Sequence, residues 1–527
     1  MANGNGQSED EMTVLVVKEI RQGKKQGSWW LKTENGNSLY TLDERFVEEF
    51  KKGIRKFEAS VKEVKSKKGN KFFVATYVKG LEQPRAEEKK GEKAQPLPDW
   101  KKAAERLRKV EKEITSRILF SERQTRLALL TSVVGGNMML VGDVGTGKSA
   151  VVELVASAFT SNYGYWQMSR FTSPEQVFGS VDLKAFKEKN QLIYNVESFR
   201  NKEFLIFDEF LYADGKVREI LNDALVARRI SPDTRGQMPI KARAIFATGN
   251  YIPNLTDPEV KLQGDVAIMD RMNIICFVTI EREAVKKVIA EAFKNSKVGE
   301  RKFETPIASI SDLESVKQKA KELLKNNDKL ASFVAEFTQT VFEMQQNFFP
   351  KEYQASLRKL IKAGFYAASN AIVEGREVVL PRDFLLVYSS LHPKQEEAYV
   401  QALSSSMPFE VFEDAYKIVK AAHKAKEQGI SAKKFIVSLV KKGEDFSQLE
   451  ALITSSLKAV NSVKGNQLAE SYAKYFKEAV SFDSVSKWIR RGLREAKNDE
   501  SLLEEVAAKV EKISEEEIAR ELEEIKM

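Results

Sequence analysis

The stretch 137–156 constrains this chain more than any other, because it reads as a buried strand, a glycine-rich loop and an apolar-faced helix. Its centre fits the pattern G-x-x-x-x-G-K-[ST], in which backbone N–H groups and a helix N-terminus face a polyphosphate. Lys148 is expected to neutralise the β- and γ-phosphates, and the Ser149 hydroxyl to coordinate Mg²⁺. A glycine-rich turn before a lysine is the alternative, and the flanking strand and helix disfavour it. The predicted nucleotide-binding residues are Gly142, Asp143, Val144, Gly145, Thr146, Gly147, Lys148, Ser149 and Ala150.

Two polar strand ends complete the predicted site. Four apolar residues precede Asp208 and Glu209, as in a central parallel strand whose carboxyl end binds ligands. Asp208 is expected to hold Mg²⁺, and Glu209 to polarise the attacking water. Asn250 ends a further apolar strand, where its amide can bridge the γ-phosphate and that water. Solvated loop carboxylates and a turn asparagine are the simpler alternatives.

Composition narrows the class of protein. The 527 residues are 42% hydrophobic, which is enough for several domains with real cores. One cysteine excludes an intramolecular disulfide, and with two histidines it leaves little for a zinc site, so we interpret Cys276 as a buried hydrophobe. No signal peptide or long uncharged apolar run is present, which predicts a cytoplasmic protein without membrane insertion. The net charge of +9 permits an acidic partner such as nucleic acid.

The first 81 residues read as a small β domain. Strand patterns at 13–17, 28–33 and 38–42, a short helix at 44–51 and a hairpin of 56–65 with 71–79 resemble an OB-like barrel. Basic and aromatic residues alternate in the hairpin, as in single-strand binders. A solvated lysine face over a barrel filled by aromatic rings is the alternative. The candidate nucleic-acid-binding residues are Lys62, Lys65, Lys67, Lys68 and Lys71.

A charged, proline-bracketed linker at 82–99 leads into the rest of the chain. From residue 142 onward strands and helices alternate, which predicts a parallel sheet flanked by helices. Beyond residue 393 the pattern is helical, with candidate helices at 431–441, 446–460, 468–480 and 484–496. A last amphipathic stretch, 503–525, is either a partner-binding helix or a cap on its own bundle.

These motifs resemble the AAA+ ATPases of the MoxR branch, most closely the RavA-like members, over about residues 120–393. By that resemblance 142–149 is Walker A, 204–209 is Walker B and Asn250 is sensor 1. Arg271, in a Met-Asp-Arg-Met element, is implied as the arginine finger that reaches a neighbouring subunit, and Arg358 as sensor 2 acting in cis. The segments 178–195 and 228–239 resemble the helix-2 insert and the hairpin before sensor 1.

The resemblance implies an α/β fold, namely a P-loop AAA+ parallel sheet with a helical lid. An OB-like β-barrel precedes it and an α-helical C-terminal region follows. The expected boundaries are 1–81 for the barrel, 82–99 for the linker, 100–295 for the ATPase core, 296–395 for the lid and 396–527 for the C-terminal helices.

The expected activity is Mg²⁺-dependent ATP hydrolysis in a ring, with a homo-hexamer as the implied assembly. Three roles are open. The first is a chaperone-like remodeller of a protein client, with a von Willebrand A-domain partner. The second is a translocase or helicase that acts on single-stranded nucleic acid through the barrel, and the third is a nucleotide-gated scaffold.

Overall fold

The computed structural model describes residues 11–22, 28–33, 38–51, 56–65, 71–80, 97–189, 191–233, 235–257, 265–279, 282–295, 297–439, 446–463 and 466–498. The chain divides into two compact units, Met1–Pro96 and Leu97–Met527, and each is described by itself.

The first unit is a closed barrel of five strands with one helix between the third and fourth strands. The strand order is β1-β2-β3-β5-β4; β3 and β5 pair in parallel, and β1 closes the barrel on β4. Phe46 of the helix is fully buried and meets Phe57 edge-on at 5.3 Å between ring centroids, so the helix fills one end of the core. The elements are β1 (Glu11–Gln22), β2 (Trp29–Thr33), β3 (Ser38–Thr41), α1 (Arg45–Lys51), β4 (Lys56–Lys65) and β5 (Lys71–Gly80).

The second unit contains a five-stranded sheet in the order β12-β6-β11-β8-β7, in which every pairing is parallel. Its strands are apolar on both faces because helices cover both, as expected for a parallel sheet. A short hairpin, β9 with β10, stands before β11. The strands are β6 (Asn137–Gly142), β7 (Tyr163–Gln167), β8 (Phe204–Asp208), β9 (Arg229–Ile230), β10 (Met238–Pro239), β11 (Ala244–Gly249) and β12 (Ile274–Val278).

Helices on the two faces of this sheet belong to different cores. One core joins α2, α3 and α4 to one face of the sheet, and the other packs α5, α7, α8 and α9 on the opposite face. The helices up to residue 294 are α2 (Trp100–Thr115), α3 (Glu122–Val134), α4 (Lys148–Phe159), α5 (Pro174–Phe178), α6 (Leu183–Lys189), α7 (Glu197–Arg200), α8 (Gly215–Ala227), α9 (Asp265–Arg271) and α10 (Arg282–Lys294).

Helices make up the regular structure of the remaining described residues. One hydrophobic core that starts at α2 continues through them to Ala496, and the expected boundaries at 295 and 395 stay predictions. They are α11 (Ile310–Lys325), α12 (Asp328–Phe348), α13 (Leu357–Val373), α14 (Pro381–Tyr388), α15 (Glu396–Ser406), α16 (Phe409–Glu427), α17 (Ala432–Leu439), α18 (Phe446–Ser462), α19 (Gln467–Ala479) and α20 (Phe482–Lys497).

Most predicted elements are present, with shifted ends. The helix predicted at 468–480 is Gln467–Ala479, and the helix predicted at 484–496 is Phe482–Lys497. Cys276 is buried within β12, as interpreted from its apolar neighbours, and burial raises the pKa of its thiol to about 11. The stretch 503–525 lies outside the described residues. In the part of the chain that the structure describes, the helices lack the length and continuous apolar character that a membrane crossing requires.

Candidate active site

The phosphate-loop residues form a tight connection between β6 and α4. Gly142 has φ +156°, and a Cβ there would meet the Val278 carbonyl oxygen at 2.1 Å, so only glycine fits beside β12. Gly147 has φ +80° and caps α4, whose first residue is Lys148. The Lys148 ammonium is buried and donates to the carbonyls of Gly142 at 2.8 Å and Asp143 at 2.6 Å. Burial lowers the pKa of Lys148, against the opposing effect of Glu209 and Asp208.

Asp208 is 8% exposed and accepts hydrogen bonds from three hydroxyl groups. Its Oδ1 accepts from Ser149 at 2.5 Å and from Thr248, and its Oδ2 accepts from Tyr165 at 2.6 Å. Burial raises the pKa of this carboxyl, but the three hydrogen bonds outweigh burial and hold the pKa below its usual value. The carboxylate is therefore an anion fixed beside the start of the phosphate-loop helix.

Glu209 follows in a strained backbone conformation. Its φ of +56° lies in the left-handed region, which costs a residue with a side chain on the order of 1 kcal/mol or more. Its N–H donates to the Thr248 hydroxyl at 3.1 Å, and its Oε1 accepts from the Asn250 amide at 2.6 Å. Its Oε2 is buried and has no hydrogen-bond partner among the described residues. One carboxylate oxygen is thus held by Asn250, and the other is buried without a partner among the described residues.

Lys148, Ser149, Glu209 and Asn250 line one cavity of about 440 Å³, and Ser149 joins Asp208 to it. The apolar side chains Ile118, Leu119, Val288 and Val298 also line it. A glycine-rich loop with a buried lysine beside apolar side chains, in a cavity of this size, suits a nucleotide, with its phosphates on the loop and its base on the apolar residues. The sequence had brought Lys148, Ser149, Asp208, Glu209 and Asn250 to one place, and the structure does the same.

The two predicted arginines lie elsewhere. Neither Arg271 nor Arg358 is among the residues that line the cavity. Asp270 explains the position of Arg358, since its carboxylate accepts from the Ser356 N–H at 3.2 Å and pairs with the Arg358 guanidinium at 3.6 Å. The N-terminus of α13 is therefore fixed to α9, the helix that ends at Arg271. The role of Arg358 as a sensor for the nucleotide of its own chain stays a prediction.

Three side chains of the site escaped sequence analysis. Thr248 ties Asp208 to Glu209, Tyr165 holds Asp208 from the edge strand, and Arg301 lines the cavity while donating to the Tyr165 hydroxyl at 3.3 Å. Of these three, only Thr248 could have been noticed from sequence, because it lies on the predicted strand two residues before Asn250. Burial raises the pKa of Tyr165 to about 12, so its hydroxyl stays a proton donor.

The predicted nucleic-acid-binding lysines belong to the first unit. Lys62 and Lys65 lie in β4 and Lys71 in β5, but their side chains are not among those described. Lys67 and Lys68 lie outside the described residues.

Part of this chain matches a known protein family. Residues 105–318 match the family described as the MoxR domain in the MoxR-vWA-beta-propeller ternary systems. Two uncharacterized proteins of Methanocaldococcus jannaschii are also similar. One is 23% identical over 221 residues, covering 42% of this chain and 55% of the relative. The other is 22% identical over 149 residues, covering 28% of this chain and 39% of the relative. The chain therefore matches about half the length of the first relative and less of the second.

A crystal structure of a proposed ATPase from Cytophaga hutchinsonii matches with a TM-score of 0.43 and 18% identity, covering 56% of this chain and 87% of that one. Together with the phosphate loop and the paired acids, the family match supports a MoxR-type AAA+ ATPase domain.

A pH-dependent prediction arises from Lys359, next to Arg358. Its ammonium is fully buried and donates to the Leu391 carbonyl at 2.8 Å; burial lowers its pKa to about 8, opposed by Asp270. An unfolded lysine titrates near 10.4, so between about pH 8 and 10 the unfolded chain binds one more proton than the folded chain. The free energy of unfolding of the wild type should then rise relative to Lys359→Met, by up to about 1.4 kcal/mol per pH unit.

Urea unfolding of both proteins across that pH range measures the difference. The exposed neighbour provides the control, since Arg358→Met should show no such pH dependence. A wild-type advantage that falls with rising pH would mean that Asp270 keeps Lys359 charged.

Proposed function

We propose that this chain is a MoxR-type ATPase that hydrolyses ATP in the cavity between the phosphate loop and Asn250. One observation carries the proposal: a buried lysine and a glutamate with one unpartnered oxygen line a single nucleotide-sized cavity, and the Ser149 hydroxyl, which also lines it, donates to Asp208. Lys148 would leave its two loop carbonyls for the β- and γ-phosphates, which are stronger acceptors.

The residues present fit Mg²⁺. Among the described residues, no group of three or more His, Cys, Asp or Glu is placed to hold a metal by itself. Magnesium at phosphate-transfer sites instead takes one or two protein oxygens and completes its shell with phosphate and water. The Ser149 hydroxyl oxygen and Oδ1 of Asp208, which lie 2.5 Å apart, would hold the ion. When bound, it neutralises charge on the β- and γ-phosphates.

Glu209 is the proposed general base. The Glu209 carboxylate would accept a proton from the water that attacks the γ-phosphate, and the Asn250 amide holds its Oε1. Its Oε2 is buried and has no hydrogen-bond partner among the described residues, so this oxygen must turn toward the cavity to meet that water. Glu209 lines the cavity with its backbone in the left-handed region.

Arg271 is proposed to act on the nucleotide of a neighbouring subunit, and Arg358 on the nucleotide of its own chain as sensor 2. Arg271 does not line the cavity of its own chain, and Arg358 pairs with Asp270. A triphosphate that splits in the cavity gains negative charge on its leaving oxygen, and arginines stabilise such charge. A ring in which each subunit completes the next site meets this need, and we propose a homo-hexamer.

The proposed role is remodelling of a macromolecular client, with a von Willebrand A-domain protein as partner. The family description supports that partner, because it places MoxR domains in systems with vWA proteins.

Two substitutions test catalysis. Lys148→Ala should weaken ATP binding at least about 10-fold, since a charged hydrogen-bond donor to the phosphates is lost. Glu209→Gln should keep ATP affinity near that of the wild type and lower kcat by about 10²- to 10⁴-fold, because an amide accepts no proton. ATP binding by calorimetry and phosphate release measure the two effects. Normal turnover by Glu209→Gln would remove Glu209 from its role.

Mixed assemblies test the shared site. Arg271→Ala and Glu209→Gln should each be nearly inactive alone, yet regain part of the ATPase activity when mixed. The Glu209→Gln subunit still carries Arg271, and the Arg271→Ala subunit still carries Glu209. Where the two meet, the Arg271 of the first completes the site that contains the Glu209 of the second. Mixing Arg271→Ala with the double variant Arg271→Ala/Glu209→Gln is the control and should stay inactive. Absence of recovery in subunits that exchange, as judged by mass, would place Arg271 in its own site.

A second candidate function rests on the barrel of the first unit. Trp30 is 39% exposed on β2 and meets Tyr40 of β3 edge-on at 5.3 Å between ring centroids. Lys32, also exposed, follows on the same face of β2. We propose that this barrel is OB-like and that the Trp30 ring stacks with bases of a single-stranded nucleic acid, which would make the chain a nucleic-acid-dependent translocase.

Binding of a fluorescent oligothymidylate by the full chain tests this function. Trp30→Ala should weaken binding about 5- to 100-fold, since stacking on an aromatic ring contributes about 1–3 kcal/mol per base. Trp30→Phe keeps a stacking ring and should retain most of the affinity, and Leu42→Ala, at an exposed apolar site, should match the wild type. Binding that is absent at low salt, where phosphate attraction is strongest, would leave protein remodelling as the function.

A further inference from the structure

Tyr165 occupies one oxygen of the metal-holding acid. Its hydroxyl donates to Oδ2 of Asp208 at 2.6 Å, while Ser149 and Thr248 both donate to Oδ1. Tyr165 lies on the edge strand β7, outside the phosphate loop and outside the strand ends that carry Asp208, Glu209 and Asn250. The division of donors fixes the rotation of the carboxylate, so that Oδ1 faces Ser149.

Arg301 supports the tyrosine from the other side. Its guanidinium donates to the Tyr165 hydroxyl at 3.3 Å and pairs with Glu153 of α4 at 3.4 Å. A hydroxyl that accepts from a cation is a stronger donor in turn. Arg301 also lines the nucleotide cavity, so the chain of bonds runs from the cavity wall through Tyr165 to Asp208.

We propose that Tyr165 is a positioning residue for the divalent cation: it locks Oδ2 of Asp208, which presents Oδ1 and the Ser149 hydroxyl together to the metal bound with the nucleotide. This inference rests on the proposed function. Without the tyrosine hydroxyl the carboxylate can rotate, and metal binding must then order it. Partners that orient a metal-holding group typically change metal affinity about 10- to 100-fold when removed.

The same strand offers a matched control. Tyr163 is half-buried like Tyr165, lies two residues away on the same face of β7, and bonds Glu153 at 3.2 Å instead of Asp208. Tyr163→Phe and Tyr165→Phe each remove one tyrosine hydroxyl group from β7. A purely structural contribution of a hydroxyl on this edge strand would affect both variants alike.

The experiment uses the full chain and Mn²⁺ as the metal probe. Free Mn²⁺ is followed by its EPR signal while the protein–ATP complex is titrated, and ATP affinity is measured separately in EDTA. Tyr165→Phe should weaken Mn²⁺ binding to the complex about 10-fold and raise the Mg²⁺ concentration for half-maximal hydrolysis by a similar factor. ATP affinity in EDTA should stay unchanged, and Tyr163→Phe should match the wild type throughout.

Arg301→Ala provides a second variant that keeps the tyrosine hydroxyl. It should shift Mn²⁺ affinity in the same direction, by about 3-fold, because the hydroxyl loses its supporting donor. Wild-type Mn²⁺ affinity in Tyr165→Phe, or an equal loss in both tyrosine variants, would overturn this inference and leave the ATPase standing. A wild-type protein that binds no ATP with or without metal would overturn the proposed function as well.

Discussion

The candidate active site of the second unit depends on one buried carboxylate, that of Asp208. Asp208 sits at the carboxyl end of β8, and its carboxylate would be costly to bury without compensation. The compensation comes from hydroxyl groups of three elements: Ser149 at the start of α4, Thr248 on β11 and Tyr165 on β7. No positive charge of the protein bonds the carboxylate directly among these contacts, so its negative charge remains available to a cation. The bonds that stabilise the fold at this point also prepare the site.

The order of the strands brings the other polar groups close to Asp208. β11 lies between β6 and β8, so the phosphate loop, Asn250 and the two acids follow three adjacent strands at the carboxyl end of the sheet. Thr248 then serves two neighbours at once, since it donates to Asp208 and accepts from the N–H of Glu209. That second bond compensates for the left-handed backbone at Glu209. Asn250 donates to Oε1 of Glu209, so the orientation of this carboxylate is fixed by the protein itself.

Sequence reasoning found the groups that a local pattern encodes. The phosphate loop is contiguous, and Asp208, Glu209 and Asn250 each end an apolar run, so their convergence follows from parallel pairing. Tyr165 and Arg301 carry no such signal. The tyrosine sits in an aromatic strand where any ring could fill the core, and Arg301 lies in a segment without periodicity between α10 and α11. Their roles depend on distances across the fold.

The position of Arg358 likewise depends on distant contacts. The family resemblance implies a sensor 2 role for this residue, but the direction of a side chain in the first turn of a helix depends on where the helix begins. Here Ser356 caps α13, and its N–H is bound by Asp270 of α9. That contact, between residues 86 positions apart, turns Arg358 toward Asp270.

The start of α13 is consequently tied to α9, the helix that ends at Arg271. Asp270 holds the start of α13, and Lys359 in the same turn is bonded to the Leu391 carbonyl, so α9, α13 and the chain after α14 are fastened at one place. From there the packed core continues to Ala496. Closely packed interiors transmit displacement rather than absorb it. In the proposed ring, an arginine drawn toward a neighbour's phosphate would therefore move together with the C-terminal helices, which gives nucleotide turnover a mechanical path to a bound client.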